Sequence, residues 1–577
     1  MSVFCNTMLN EKSCNSYTIS GVSKNKETNL PNDDLGLIAL DSQVIGSRGL
    51  SKHSSLSDSD LEKLFNIIMK NIDNLDCNKK KKEYMGYFIK LIFKIRDITE
   101  GNGEQDIFYK LLMMLNKRNY SIIPEFFPFL TGGYDRNRER VKTMPYGSFK
   151  DLNNLYKLCS MDRSMENDSL KNSILSYIRY TVLRDSEDEI IHPTLCVKWL
   201  PRENKSVDKK CNMACDISKK LFGTYLPKNK LMCDYRKVLS GISKKFRILE
   251  TLMAENRWDE ITVKDIPSKA FLKYIKALKF ENKDGSLRDN TSIDRLQLRA
   301  RVLLEQQKAL SNPESSRINT STLHPHEMVQ KLLDYDVIKE DIDSYNAMWS
   351  KYVSDFKKNL GGGKLQPGVV LADVSGSMWG LPMNVCIALS ILLSDLFEGP
   401  FRNKVLTFET DSQWHDIVGE TLDEKVNCLS QARWGGNTNF KNALKKILDV
   451  GIKAKLKNDD MPKVLYIFSD MQWDQADGDS TGFESIESMY NTYGYKMPHI
   501  VFWNLRSTNT YNNNSNQKNT TMMSGFSPNL FKQFMNGNFI ESTPWNSLKD
   551  LLDNDRYSQL DKIIFNEPLN HNDKYKL

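Results

Sequence analysis

The hydrophobic positions between residues 56 and 355 recur with the spacing of α-helices. Leu61, Leu64, Phe65 and Ile68 stand at i, i+3, i+4 and i+7, which places them on one helix face. No stretch of this region alternates apolar and polar residues convincingly, as a half-buried strand would. Further helices are expected at 84–98, 106–115, 150–183, 212–222, 235–256, 266–280 and 293–311.

These patterns predict a large all-helical domain at residues 56–360. Helix pairs packed as in HEAT repeats would fit them, although the sequence shows no clean repeat. Residues 1–55 mix Ser, Asn, Lys and Gly without periodicity, so we expect a disordered leader there. Three consecutive glycines begin at Gly361 and give the backbone wide conformational freedom. They indicate a Gly-rich hinge at 361–366.

From residue 367 onward, short apolar runs alternate with helical patterns. Such alternation is typical of a parallel, doubly wound, Rossmann-like sheet with helices on both faces. Residues 367–577 should therefore form an α/β domain ending in an amphipathic helical tail, which could dock on either domain. Strands are expected at 369–374, 403–409, 413–418, 463–469 and 498–504, helices at 382–397, 421–431, 438–450, 480–491 and 527–536, and an Asn-rich loop at about 507–520.

Oxygen-bearing side chains follow the first of these strands. The apolar run 369–372 leads directly into Asp373, Ser375 and Ser377. Strands of a parallel sheet end at the crevice where open α/β folds bind their ligands. One carboxylate and two hydroxyls, without a thiol or imidazole, favour a hard cation such as Mg²⁺, Mn²⁺ or Ca²⁺. Trp379, two residues beyond, is either a contact at the rim of this site or a core residue.

Three segments of this region together resemble a known metal site. Residues 373–377, Asp-Val-Ser-Gly-Ser, resemble the metal-ion-dependent adhesion site (MIDAS) of von Willebrand factor A (vWA) domains. Residues 435–439 are similar to the second loop of that site, with Thr438 in the place of its ligand threonine. Residues 464–470 are similar to the later strand that ends in the site's aspartate, here Asp470. The alternative is that these residues only cap strand-to-helix turns.

The resemblance implies a docking device built on one divalent ion. Ser375, Ser377 and Thr438 would bind the ion directly, and Asp373 and Asp470 would act directly or through water. Hydroxyl ligands leave the ion's charge incompletely neutralised, so its open position would accept an acidic oxygen of another macromolecule. We therefore expect a non-enzymatic, metal-dependent binding protein whose helical domain serves as a scaffold and whose partner is a protein.

A metal-dependent hydrolase is one alternative to this function. It would need a second metal ion, or a general base aimed at a bound water. Three aspartates lie near the ends of predicted strands, although their spacing singles none of them out: Asp411, Asp416 and Asp474.

Sequence segments outside the predicted metal site resemble a second family. Ile-Arg-Asp-Ile-Thr-Glu-Gly-Asn-Gly-Glu at 95–104 and four other phrases resemble the family called domain of unknown function 2828, which joins a helical region to a C-terminal vWA domain. The likeness covers most of the chain after residue 56. The same architecture is similar to that of TROVE proteins, the Ro autoantigen family, which bind small and misfolded RNAs. The four other phrases lie at 197–203, 234–240, 324–327 and 501–506.

RNA binding is therefore the other alternative function. The formal net charge of +7 permits a nucleic-acid partner without requiring one. Tyr134, Tyr146 and Phe149 could stack on bases or belong to the core. The candidate phosphate contacts, which could equally form an ordinary solvated surface, are Arg136, Arg138, Arg140, Lys209 and Lys210.

Length and cysteine usage set the remaining expectations. A chain of 577 residues is too long for one hydrophobic core and suggests two or three domains. Its 10 cysteines lack paired spacing, as in a reduced intracellular protein, and Cys211 and Cys215 have no matching second pair for zinc. No apolar run reaches the roughly 18 residues of a membrane span, so a soluble cytoplasmic protein is expected.

Overall fold

The structure is a computed structural model that describes most of the chain between residues 58 and 565. The expected helix at 527–536 lies outside the described residues, as do most of the expected leader at 1–55 and of the expected hinge at 361–366. The described residues are 36–37, 40–41, 58–118, 120, 122–162, 166–246, 248–289, 291–321, 323–334, 337–359, 365–373, 378–407, 412–431, 440–469, 480–505, 519–524 and 544–565.

The chain folds into two compact units. The first, which we call the helical unit, contains residues 61–251 together with 549–565. The second, which we call the sheet unit, consists mainly of residues 252–548. The helices between residues 252 and 359 therefore belong with the sheet, and the last helices of the chain belong with the first ones.

Helices are the regular elements of the described residues from 58 to 359. Isolated bridges join Tyr134 to Arg140 and Glu281 to Leu287, but no strand forms among these described residues. The expectation of a helical region is thus confirmed. In chain order the helices are α1 (Asp58–Asp73), α2 (Asn78–Arg96), α3 (Asp106–Lys117), α4 (Phe127–Thr131), α5 (Phe149–Met161), α6 (Glu166–Ser186), α7 (Cys196–Trp199), α8 (Asp208–Cys211), α9 (Met213–Phe222), α10 (Lys228–Ser243), α11 (Leu249–Ala254), α12 (Ser268–Lys279), α13 (Ile293–Ser311), α14 (Pro325–Leu332) and α15 (Lys339–Asn359).

Local signals explain where individual helices begin and end. Ser148 and Asp151 form a capping box at the start of α5, so that two backbone N–H groups of the first turn find acceptors. At the other end of α5, Asp162 adopts an extended backbone, with φ −86° and ψ 103°. The sequence pattern at 150–183 predicts one continuous helix. In the structure this region forms two helices, α5 and α6.

The later part of the chain builds a six-stranded sheet. Its order is β3-β2-β1-β4-β5-β6; β3 is antiparallel to β2, and the other neighbouring pairs are parallel. The combination of helices with an α/β region agrees with the expected class. The strands are β1 (Gly368–Ala372), β2 (Lys404–Thr407), β3 (Trp414–Asp416), β4 (Val464–Ser469), β5 (His499–Asn504) and β6 (Thr520–Ser524), and the helices are α16 (Leu381–Leu396), α17 (Leu422–Ser430), α18 (Phe440–Ala454), α19 (Ser480–Thr492), α20 (Pro544–Leu552), α21 (Asp555–Ser558) and α22 (Asp561–Ile564).

Strand β6 is absent from the sequence prediction, which places a polar loop up to about residue 520. Its residues, Thr-Thr-Met-Met-Ser, show no alternation of apolar and polar positions. The strand is defined instead by its pairing with β5, in which Ile500 stands opposite Thr520 and Asn504 opposite Ser524. Pairing at the edge of a sheet depends on backbone groups, which leave no side-chain pattern to detect.

Both faces of the sheet are covered by side chains from helices or their ends. Leu465 and Ile467 of β4 belong to one buried cluster. The same cluster contains Leu444 of α18 and Ile486 of α19. Tyr466 points to the opposite face, because successive side chains of a strand alternate. There it stacks with Phe397, which follows α16, at a centroid distance of 6.0 Å. Burial on both faces explains why the central strands are continuous apolar runs.

Candidate metal centre

Asp373 lies at the carboxyl edge of the sheet, directly after β1. Strands β1 and β4 are neighbours, with Ala372 opposite Phe468. The backbone N–H of Asp373 donates to the carbonyl oxygen of Phe468 at 2.9 Å. The Ser469 hydroxyl donates to Asp373 Oδ2 at 2.7 Å. A backbone bond and a side-chain bond therefore fix this carboxylate against the end of β4.

The topology makes this edge a natural place for a ligand. From β1 the chain builds β2 and β3 on one side, and it later builds β4, β5 and β6 on the other side. The winding direction reverses between β1 and β4, and open α/β sheets bind ligands in the crevice outside such a switch point. Asp373 and Ser469 occupy the carboxyl ends of the two strands that flank this crevice.

Polar residues continue along the same edge. Thr407 ends β2 opposite Ala372, and Asn504 ends β5 opposite Ser469. Thr407, Ser469 and Asn504 are all buried, and each directly follows a run of apolar residues in its strand. Sequence reasoning singled out Asp373 and missed the supporting role of Ser469. The available signal was a hydroxyl residue that closes the apolar run of β4 directly before Asp470.

A buried thiol lies beside Asp373. Cys386 of α16 is buried close to Asp373. Burial raises the pKa of the Cys386 thiol, and the negative charge of Asp373 raises that pKa further, against a smaller lowering by a backbone hydrogen bond. The thiol is therefore protonated near neutral pH while no metal ion is bound. The side chain fixed at this edge is the Asp373 carboxylate, an oxygen donor of the kind that hard cations prefer.

Four of the five predicted metal ligands lie outside the described residues: Ser375, Ser377, Thr438 and Asp470. Within the described ranges, no three residues of the types His, Cys, Asp and Glu stand close enough together to hold a metal ion. The predicted set depends on hydroxyl groups and on Asp470, so it stays a prediction. Asp373 is the member whose position the structure gives.

The residues next to the predicted loop differ sharply in exposure. Met378 is fully buried, whereas 83% of Trp379 is exposed. Of the two roles considered for Trp379, a core position is thus wrong. A large aromatic side chain stands in solvent two residues after Ser377.

Asp416 is poorly placed to serve as a general base at this edge. It stands opposite Lys404, the first residue of β2, and forms an ion pair with Lys404 Nζ. The amino end of β2 lies at the edge of the sheet opposite Asp373, because β1 and β2 are parallel. Asp411 and Asp474 lie outside the described residues.

The three candidate RNA-contacting arginines have partners within the helical unit. Arg136 forms an ion pair with Glu125, and Arg138 forms one with Glu187. Arg140 donates to the carbonyl oxygens of Gly132 and His192, each at 3.3 Å. A phosphate that bound these arginines would have to compete with the acceptor oxygens that they already contact.

The other candidate RNA contacts divide into core and surface residues. Tyr134, Tyr146 and Phe149 are buried, so their rings are part of the core and are not available as stacking platforms. Lys209 and Lys210 on α8 are exposed. Among the eight candidates, Arg138, Arg140, Lys209 and Lys210 are exposed, so these four have the surface position that a phosphate contact requires.

Comparison with known proteins identifies the relatives of the chain. Residues 368–568, which include the whole sheet, match the family model described as Domain of unknown function (DUF7788). Over 486 residues the chain is 30% identical to Uncharacterized protein L728 of Acanthamoeba polyphaga mimivirus, an alignment that covers 81% of this chain and 79% of the viral protein. The chain belongs to the same family as this viral protein. Among the described helices, none combines the length and apolar character needed to cross a membrane.

Proposed function

We propose that this protein is a metal-dependent, non-enzymatic binding protein whose sheet is a doubly wound vWA-type domain with a MIDAS. The main support is the Asp373 carboxylate, which Ser469 holds at the switch point between β1 and β4. The strand order β3-β2-β1-β4-β5-β6, in which the winding direction reverses beside β1, supports the proposed doubly wound fold.

The proposed ion is Mg²⁺, with Mn²⁺ or Ca²⁺ as substitutes. Ser375, Ser377 and Thr438 would bind it directly, and Asp373 and Asp470 would contact it directly or through water. Mg²⁺ keeps water molecules at coordination positions that protein does not fill. Its open position would then exchange water for a carboxylate oxygen of the partner.

The chemistry of this edge favours a cation over a bound nucleotide. Doubly wound folds that bind dinucleotides place glycines after the first strand, so that the pyrophosphate can approach the backbone. Here the corresponding position is a buried carboxylate, Asp373. A fixed negative charge repels phosphate and attracts a divalent ion.

The partner that fits best is a protein bearing an exposed Asp or Glu. Trp379, exposed beside the predicted loop, would supply an aromatic contact around the ion. Tryptophan is among the residues that contribute most to binding energy at interfaces. The helical region, with its proposed HEAT-like pairing of helices, would act as the scaffold.

RNA binding and hydrolysis receive less support. Arg136 and Arg138 are already paired with acidic residues, and the neighbouring aromatic rings are buried. Asp416 lies at the wrong edge of the sheet for catalysis at the proposed ion. A pull-down from cells with and without a chelator distinguishes the three functions, because only the proposed one requires chelator-sensitive recovery of a protein partner.

The proposal predicts that Asp373→Asn lowers the affinity for Mn²⁺ by about tenfold or more, since it removes a negative charge next to the ion. Ser469→Ala should lower that affinity by roughly 10- to 100-fold if Asp373 is a direct ligand, as is usual for the hydrogen-bonding partner of a ligand. Isothermal titration calorimetry with Mn²⁺ measures both changes.

Asp416→Asn is the matched control, because it removes a carboxylate from the other edge of the same sheet. This variant should bind Mn²⁺ as the native chain does. Equal Mn²⁺ affinity in Asp373→Asn and the native chain would refute the proposal. Circular dichroism should show all three variants folded.

A further inference from the structure

Helix α13 of the sheet unit presents a row of leucines to solvent. Leu296, Leu303 and Leu310 stand seven residues apart, and their exposed fractions are 42%, 37% and 51%. Ile293, the first residue of the helix, is 73% exposed. Single exposed apolar residues are ordinary, but a contiguous row of them marks an interaction site.

The opposite face of α13 already packs inside the sheet unit. Leu298, Val302 and Ala309 are buried. The helix contacts α12 and α15, and the guanidinium of Arg295 lies 5.0 Å from the ring centroid of Trp258. These contacts fix the helix, and the leucine row forms a second face that is exposed among the described residues.

The exposed row has the spacing of a coiled-coil seam. Ile293, Ala300 and Gln307 are exposed, and each precedes one of the leucines by three residues. The row therefore alternates steps of three and four, which is a heptad with leucine at every d position. At about 1.5 Å per residue, the helix is about 28 Å long.

The positions beside this seam carry little charge. They are Ser292, Gln297, Arg299, Leu304, Gln306 and Ser311, of which Gln306 is buried. Arg299 is paired with Glu281 of its own unit at 3.1 Å. Neutral flanks meet a second copy of the same helix without repulsion, whereas a strongly charged partner helix would find no complementary charges.

We propose that α13 is a homodimerisation helix, which packs its leucine seam against α13 of a second copy of this chain. The helix has 19 residues, fewer than three full heptads. A standard interface involves roughly 20 to 30 residues per side, so this helix pair is small. Its dissociation constant should be on the order of 1 to 100 µM. Gln307 at an a position lowers the affinity further.

Sedimentation velocity of the full chain over this concentration range tests the proposal. The native chain should show a monomer–dimer equilibrium. Leu303→Glu combined with Leu310→Glu should raise the dissociation constant by about tenfold or more, because four carboxylates enter the seam. Both leucines are exposed, so far-UV circular dichroism should be unchanged. Ile191→Glu is the matched control, since Ile191 is an exposed aliphatic residue of the helical unit.

A second variant changes the affinity in the other direction. Gln307→Leu replaces the polar residue of the seam and should lower the dissociation constant by about tenfold. A chain that stays monomeric up to about 100 µM would overturn the proposal. So would a dimer whose affinity is the same in the Leu303→Glu, Leu310→Glu variant as in Ile191→Glu.

Discussion

At the scale of single residues, His499 shows how burial sets protonation in the sheet. It is the first residue of β5 and is 2% exposed. Its Nε2 lies 2.8 Å from the hydroxyl of Thr521, and its Nδ1 lies 3.3 Å from Asn519 Oδ1. Burial lowers the pKa of His499 to about 4, and the hydrogen bond with Asn519 only partly offsets this. The imidazole is therefore neutral in the folded protein at physiological pH.

This shift predicts a loss of stability in mild acid. Above about pH 6.5, His499 is neutral in both the folded and the unfolded chain. Between pH 6.5 and about 4, the unfolded chain binds a proton that the folded chain does not, so the free energy of unfolding falls. The expected loss at pH 5 is about 2 kcal/mol. Urea unfolding at pH 7 and pH 5 should show this loss in the native chain and lack it in His499→Gln. Equal pH dependence in the two proteins would contradict the assignment.

At the scale of elements, a buried ion pair joins α2 to α5. Arg96 Nε and Nη2 each donate to a carboxylate oxygen of Asp151 at 2.8 Å, and both side chains are buried. The Tyr109 hydroxyl of α3 donates to Asp151 as well, at 2.5 Å. Burial and the charge of Asp151 raise the pKa of Tyr109, so it remains a donor. Arg96 belongs to the sequence segment 95–104, so this segment helps to hold α2 and α5 together.

Breaking this pair should be costly. Arg96→Met leaves the Asp151 carboxylate buried without its cation, which should lower the free energy of unfolding of the helical unit by about 3 to 5 kcal/mol. Arg118→Met removes an exposed arginine that is 3.3 Å from Asp73, and it should cost less than about 1 kcal/mol. Amide hydrogen exchange of residues 84–98 reports both changes. Similar exchange rates in the two variants would contradict the structural role of Arg96.

At the scale of the whole molecule, the C-terminal segment (residues 549–565) completes the helical unit. Arg556 Nε and Nη2 donate to the two carboxylate oxygens of Asp97 at 2.8 and 2.7 Å. The same guanidinium lies 4.5 Å from the ring centroid of Tyr146, which also stacks with Tyr557 at 5.9 Å. Asp97 is fully buried, so the segment supplies the cation that its burial requires.

Arg556→Ala should therefore destabilise residues far from it in sequence. The expected loss is about 3 to 5 kcal/mol in the free energy of unfolding of the helical unit, because Asp97 loses its buried partner. Hydrogen exchange should accelerate at 84–98 and 146–161. Lys562→Ala changes an exposed residue of the same segment and should leave this exchange unchanged. Unchanged exchange in Arg556→Ala would show that the segment is not part of this unit.

The sequence predicted those features that depend on local patterns. Helices were anticipated from the regular spacing of their apolar residues, and the central strands from short, continuous apolar runs. The partners of Arg136 and Arg138 were not, because Glu125 and Glu187 stand 11 and 49 residues away. The Ser469 contact with Asp373 spans 96 residues, and it becomes visible only when β1 and β4 are neighbours. Tertiary contacts of this kind leave no periodic signal in the chain.

The return of the C-terminal segment to the helical unit has a consequence for biosynthesis. Residues up to 251 leave the ribosome long before residues 549–565 exist, because the sheet unit is encoded between them. At roughly 5 to 20 residues per second, translating these about 300 intervening residues takes on the order of 15 to 60 s. During that interval the Asp97 carboxylate lacks its cationic partner, Arg556. The helices around Asp97 thus reach their final form only after Arg556 has been translated.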